Sequence, residues 1–185
     1  MAFNINDIRG QLAFGGARPS LFQVFITNPV NSAADFKVPF LCKTAQLPSS
    51  ELGLIEVPYF GRKLKMAGDR VFAPWTVTII NDEDFLIRNA MEQWNNSIQL
   101  YERNITARAT GAPSLYKSQA TVTQYGKAGE ILRTYQFNGI FPQVVSAIDL
   151  AWADTDVIEE FQVQFQYDTF EVLGPLGITG RAGGS

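Results

Sequence analysis

Hydrophobic and polar residues alternate with period two through most of the chain. In Leu21–Asn28 (LFQVFITN), Phe22, Val24 and Ile26 fall on one face. The same pattern runs through Leu52–Val57 (LGLIEV), Trp75–Ile80 (WTVTII), Gln119–Tyr125 (QATVTQY), Glu130–Phe137 (EILRTYQF) and Glu160–Phe170 (EFQVQFQYDTF). An extended backbone sends successive side chains to opposite faces, so each stretch is predicted as a strand. Between two of them, Gly126–Gly129 (GKAG) supplies residues that tolerate the positive φ of a tight hairpin.

Thr78–Trp94 (TIINDEDFLIRNAMEQW) breaks the alternation. Asn81 or Asp82 is placed to cap a helix. Asp82, Glu83 and Asp84 sit where a helix N-terminus favours negative charge, and no proline interrupts the next fourteen residues. The spacing predicts a helix over about 82–97. Leu86, Ile87, Ala90, Met91, Trp94 and Ile98 form one broad apolar stripe on it, as a helix laid against a sheet requires. The fold expected is mainly β, an antiparallel sandwich or barrel with one flanking amphipathic helix. Residues 1–173 are expected to form a single domain, and the Gly-rich stretch from Gly174 to be a flexible tail.

Composition narrows the function. The chain has 185 residues, 46% of them hydrophobic and 12% aromatic, enough for one domain with a real core. Fifteen basic against eighteen acidic residues leave a net charge of −3, which argues against a dedicated nucleic-acid binder. The single cysteine, Cys42, excludes an intrachain disulfide and reads as a small core hydrophobe. The start lacks a basic region followed by a long apolar run, and no stretch approaches a membrane span, so neither export by a secretory leader nor membrane insertion is expected. The N-x-[ST] matches at Asn95 and Asn104 are then chance matches.

Catalytic chemistry finds little support. The chain has no histidine, which removes His-dependent acid–base and triad mechanisms. Gly10–Ser20 (GQLAFGGARPS) lacks the G-K-[ST] of a phosphate loop and follows no strand, so its glycines read as flexible joints. The acids at 82–84 read as capping and solvation, because a metal site needs further ligands. No catalytic, cofactor-binding or metal-binding residue is expected. Trp75, Trp94 and Trp152 fall in strand, helix and strand-edge patterns, where core packing accounts for them. Residues 59–70 (YFGRKLKMAGDR) stand out, with Arg62, Lys63, Lys65 and Arg70 in a span read as a long basic loop between two strands.

Three blocks carry a resemblance: FGGARPSLFQVFITNP, APWTVTIINDEDFLIRNAMEQW and FNGIFPQVVSAIDLAWADTDVIEEFQVQFQYD, spanning most of Phe14–Asp168. They resemble the tail tube proteins of contractile-tailed bacteriophages, a family similar in fold to the tube of type VI secretion systems. The third block is the most specific, with its G-x-F-P, its A-I-D-L stretch and its polar entry into the last strand. The resemblance implies sixfold rings stacked into a hollow tube inside a sheath. The partners it implies are further copies of the chain, then sheath, tape measure and baseplate proteins, with DNA passing through without specific binding. The location it implies is the virion tail, after assembly in the host cytoplasm.

By the same resemblance, Tyr59, Phe60, Gly61, Arg62, Lys63, Leu64, Lys65 and Arg70 would form a protruding hairpin that meets the adjacent ring. Acids such as those of the Asp154–Glu160 region are candidates to pair with it. Gln162, Gln164 and Gln166, on the polar face of the last strand, would line the channel, and the strand-to-helix unit would brace each protomer at the ring. A baseplate tube initiator or a secretion-type tube is the close alternative. A monomeric ligand-binding β-sandwich is the alternative of a different class.

Overall fold

The computed structural model describes residues 15–101 and 112–174, together with Ile5, Ile8 and Leu12. Among them nine strands are found: β1 (Phe22–Ile26), β2 (Cys42–Ala45), β3 (Glu51–Tyr59), β4 (Arg62–Val71), β5 (Trp75–Ile80), β6 (Ser118–Tyr125), β7 (Ile131–Val145), β8 (Glu160–Gln166) and β9 (Thr169–Leu173). Seven form one antiparallel sheet in the order β1-β6-β7-β8-β5-β2, with β9 also paired to β7, while β3 and β4 pair with each other.

β7 makes a sandwich of this sheet. Its first part pairs with β6 and β9, and Phe141–Val145 pair with β8, so one 15-residue strand passes from one leaf to the other. The register shifts between Pro142 and Val144, where a residue without an N–H interrupts the ladder. Gly139, just before the crossing, has φ 70°, and a β-carbon there would collide with the Asp168 carboxylate. Only glycine meets both conditions. Between the leaves, Val24, Ile26, Val122 and Phe137 meet Trp75, Val77, Phe161, Val163 and Phe165, all buried. Trp75 stacks on Phe137 at 4.4 Å between centroids.

Besides a 3-10 turn at Ser32–Ala34 and the helical residues Ile5 and Ile8, the described residues hold the α-helices α1 (Val38–Leu41), α2 (Leu86–Ile98) and α3 (Pro113–Tyr116). The expected stripe holds: Ile87, Ala90, Met91 and Trp94 are buried, and Leu86 and Ile98 pack at the margin of the core. The Trp94 indole donates to the Tyr116 carbonyl at 2.8 Å, and the Asn28 amide donates to the Ala90 carbonyl at 3.0 Å.

The helix start differs from expectation. It begins at Leu86 rather than near Asp82, with Phe85 before it at φ 51° and no acid in its first turn. Residues 82–85 form a turn closed by the Phe85 N–H on the Asp82 carbonyl. Asp84 caps from inside that turn, its carboxylate accepting the Leu86 N–H at 3.0 Å. The left-handed backbone at Phe85 ends any helix running from Asp82, and Lys37, bonded to Asp82 and Asp84, holds the turn that stands in place of its first residues.

Two further expectations change. Glu160–Phe170 is two strands, β8 and β9, separated at Tyr167–Asp168 and lying in different leaves. Trp152 is fully exposed, because the segment after β7 leaves the sheet. Of the tail expected from Gly174, the residues after Gly174 lie outside those described. No helix among the described residues is long and apolar enough to cross a membrane.

Candidate assembly surfaces

The basic span 59–70 is not a loop. Its residues 62–70 belong to β4, which pairs with β3 in a ribbon closed by a two-residue turn at Phe60 and Gly61, both at positive φ (42° and 80°). Both positive values belong to the primed turn that fits strand twist. Sequence reading missed β4 because hydrophobic residues in RKLKMAGDR are interrupted by Gly68 and by charge. The Tyr59–Phe60–Gly61 turn was the available signal.

Register gives the ribbon two unlike faces. Ile55 pairs with Met66, Val57 with Leu64 and Tyr59 with Arg62, forming an apolar face. Glu56 pairs with Lys65 and Pro58 with Lys63 on the other, where Lys63 and Glu56 form an ion pair at 2.5 Å. At the base Gly53 and Gly68 face each other: a β-carbon on Gly53 would lie 3.0 Å from the Asp69 carbonyl oxygen, so the strands approach where the register shifts. The ribbon lies outside the core. Ile55, Val57, Leu64 and Met66 are each 43–60% exposed, and Phe60 at the tip is 91% exposed.

The ribbon leaves the sandwich at one end of the β2-β5-β8 leaf. β5 begins at Trp75, opposite Phe165, soon after β4 ends at Val71. At the far end of the leaf, Ile80 pairs with Glu160, where β8 begins. The segment 146–159 arrives there from β7, with the Ser146 N–H bonded to the Gln162 carbonyl. It curls around a depression of about 520 Å³ lined by residues 147–151, 154 and 157–160. Leu150, Trp152, Val157 and Ile158 project from it, each at least 67% exposed.

The turn at 82–84 stands at this same end, following β5. Lys37 bonds Asp82 at 2.9 Å and also Asp84. The Lys37 ammonium, with the Leu86 N–H, holds the Asp84 carboxyl below the usual carboxylate range. A depressed carboxylate stabilises above its unfolded pKa, and that contribution is lost as pH falls through the lower folded value. Lys43 pairs with Glu160 at 2.5 Å, and Glu159 accepts from the Asn81 amide at 2.9 Å.

Gln162, Gln164 and Gln166 lie on the outward face of β8, opposite buried Phe161, Val163 and Phe165. Thr78 and Thr76 of β5 are beside Gln162 and Gln164, and Gln166 donates to Gln143 at 2.6 Å. The result is a neutral amide and hydroxyl surface.

Burial pushes the Cys42 thiol up to about 12. At pH 8 that leaves a thiolate fraction of roughly 10⁻⁴. Disulfide-exchange labelling of the native protein should therefore run about 1000-fold slower than in denaturant. Rates within tenfold of each other would mean that the half-buried Cys42 thiol is not shielded by its packing against the core. Among the described residues, no three His, Cys, Asp or Glu side chains are arranged to hold a metal ion.

The chain is similar to the tail tube protein gp19 of Enterobacteria phage T4, with 34% identity covering 84% of this chain and 91% of that protein. The tail tube protein of Serratia phage KSP90 is 28% identical, covering 88% of this chain and 93% of that one. Among solved structures, the tube-terminating cap of the anti-feeding prophage matches at 19% identity with a TM-score of 0.62, covering 86% of this chain and 91% of that one. The sheath–tube complex of an extracellular contractile injection system matches at 17% identity and a TM-score of 0.58, covering 89% and 97%. These last two likenesses speak for the fold. The family model described as phage tail tube protein matches residues 17–173, and with the gp19 identity this shows that the chain belongs to the phage tail tube protein family.

Proposed function

We propose that the chain is the structural subunit of a phage tail tube. Copies close into hexameric rings, and the rings stack into a hollow tube within a contractile sheath. The genome moves down the bore without specific binding. The β3–β4 ribbon carries this reading, because among the described residues it pairs with no other strand and leaves its apolar side chains exposed. Such a face is completed by a neighbour, and a head-to-tail contact that does not close on itself builds a filament.

In this reading the Tyr59–Arg70 half of the ribbon meets the adjacent ring. The outward amides Gln162, Gln164 and Gln166 line the channel. α2 holds the β5–β8 leaf in shape at the ring. Sheath, tape measure and baseplate proteins are its further partners, and it works in the virion tail after assembly in the host cytoplasm. The role is structural, with no catalytic step.

Negative-stain microscopy tests this. Purified protein at tens of micromolar should show rings or tubes, while uniform particles of one subunit's size, with monomer alone in sedimentation, would overturn the reading.

A further inference from the structure

The ribbon and the 146–159 segment leave opposite ends of the same leaf. Trp75 marks the ribbon end and Ile80 the segment end, five residues apart along β5. At ~3.4 Å per residue that separates the ends by about 17 Å. One end therefore carries a projecting strand pair, and the other an open depression with apolar side chains around it.

Their chemistry is complementary. Residues 59–70 hold four bases and one acid, whereas residues 147–160 hold five acids and no base. Within the ribbon Lys63 is paired to Glu56. Arg62 and Lys65 make no ion pair among the described residues, and neither do Asp149, Asp154 and Asp156 at the other end. The outer half of the ribbon and the segment thus each combine unpaired charge of one sign with half-exposed or more exposed apolar side chains, while the ribbon's acids outside an ion pair, Glu51 and Asp69, lie at its base, away from the tip.

We infer that the 147–159 segment is the receptor for the β3–β4 ribbon of the next copy along the tube. The ribbon enters the depression tip first: its apolar face and the Tyr59–Phe60 tip lie beside Leu150, Trp152, Val157 and Ile158, Arg62 on that face meets Asp154, and Lys65, which the register places on the opposite face, meets Asp156 across the rim. Burial of the apolar face supplies the affinity, and the charges set polarity and register. Because donor and receptor lie at opposite ends of one leaf, the contact is heterologous and repeats without closing. Two ribbon ends or two receptor ends brought together present like charges, which keeps every subunit pointing the same way. This assignment rests on the tube reading above.

A charge exchange tests it with the full chain. All four positions are exposed, so R62E/K65E and D154K/D156K should both keep the wild-type thermal midpoint. Each variant alone opposes like charges at every junction and should need at least about tenfold more protein than the wild type to form tubes. Mixed in equal amounts, the two should restore tubes of alternating subunits, because each ribbon then meets a receptor of opposite sign. If D154K/D156K alone polymerises like wild type, or the mixture stays unassembled while wild type forms tubes, the pairing is overturned. Normal tubes of D154K/D156K that fail only to take up a sheath would overturn it too, assigning the segment to that contact. A wild-type protein that forms neither rings nor tubes would overturn the tube reading itself, and this pairing with it.

Discussion

Phe137→Ala is expected to cost ~3–5 kcal/mol, the range for truncating a buried aromatic side chain. Phe137 is fully buried on β7 just before that strand crosses between leaves, stacked on Trp75 and in edge contact with Tyr167 at 5.1 Å. Its loss opens a cavity between the leaves and removes aromatic contacts from residues on two other parts of the chain. Domains of this size have ~5–15 kcal/mol of stability in total, so the variant should be marginal at 37 °C. Urea denaturation of the unassembled subunit gives the measurement. Val144→Ala, on the outward side of the same strand, should cost less than ~1 kcal/mol. A loss below ~1.5 kcal/mol for Phe137→Ala would mean that the leaves do not share one tight core there.

The second large effect is on genome delivery. Gln162, Gln164 and Gln166 all changed to Lys should leave the fold and tube intact, since all three lie outside the core. If they line the bore, three cations per subunit repeat around and along the channel. Six to ten phosphate contacts are enough to change affinity by ~10³–10⁵ across a modest range of salt, so DNA leaving such a tube meets strong retention. Plaque formation should fall at least ~100-fold, with tails normal by microscopy. The other leaf supplies the control. Gln119, Thr121 and Gln136 form a similar neutral outward face, and changing those three to Lys should leave delivery near normal. Reversal of the two results would put the β6–β7 leaf in the channel instead.

The elements legible in the sequence were those whose faces differ in polarity. β5 and β8 alternate strictly, Trp75, Val77 and Ile79 in one and Phe161, Val163 and Phe165 in the other, and all six are buried. The stripe of α2 was legible for the same reason, because Ile87, Ala90, Met91 and Trp94 recur at helical spacing. β4 was not, because both faces of the ribbon are exposed and no core imposes a period on it. The α2 start was misplaced because acids at 82–84 satisfy capping rules locally, while the observed turn depends on Lys37, 45 residues earlier. Trp152 was expected to be buried because its type and setting are those of a core residue, and nothing local says that its segment leaves the sheet.

By itself the sequence determined which side chains face inward, the presence of one long amphipathic helix and the absence of histidine chemistry, since all three depend on residue type and near-neighbour spacing. Family resemblance supplied the ring and tube expectations. The resemblance also supplied a protruding hairpin at 59–70, but only the tertiary structure decided that β7 serves both leaves, that residues 51–71 pair in a register giving one apolar and one charged face, and that this ribbon and the acidic 146–159 segment occupy opposite ends of one leaf. Those features depend on pairing between residues far apart in the chain. Local periodicity shows which way a side chain points, but the register between distant strands sets which end of the molecule it reaches.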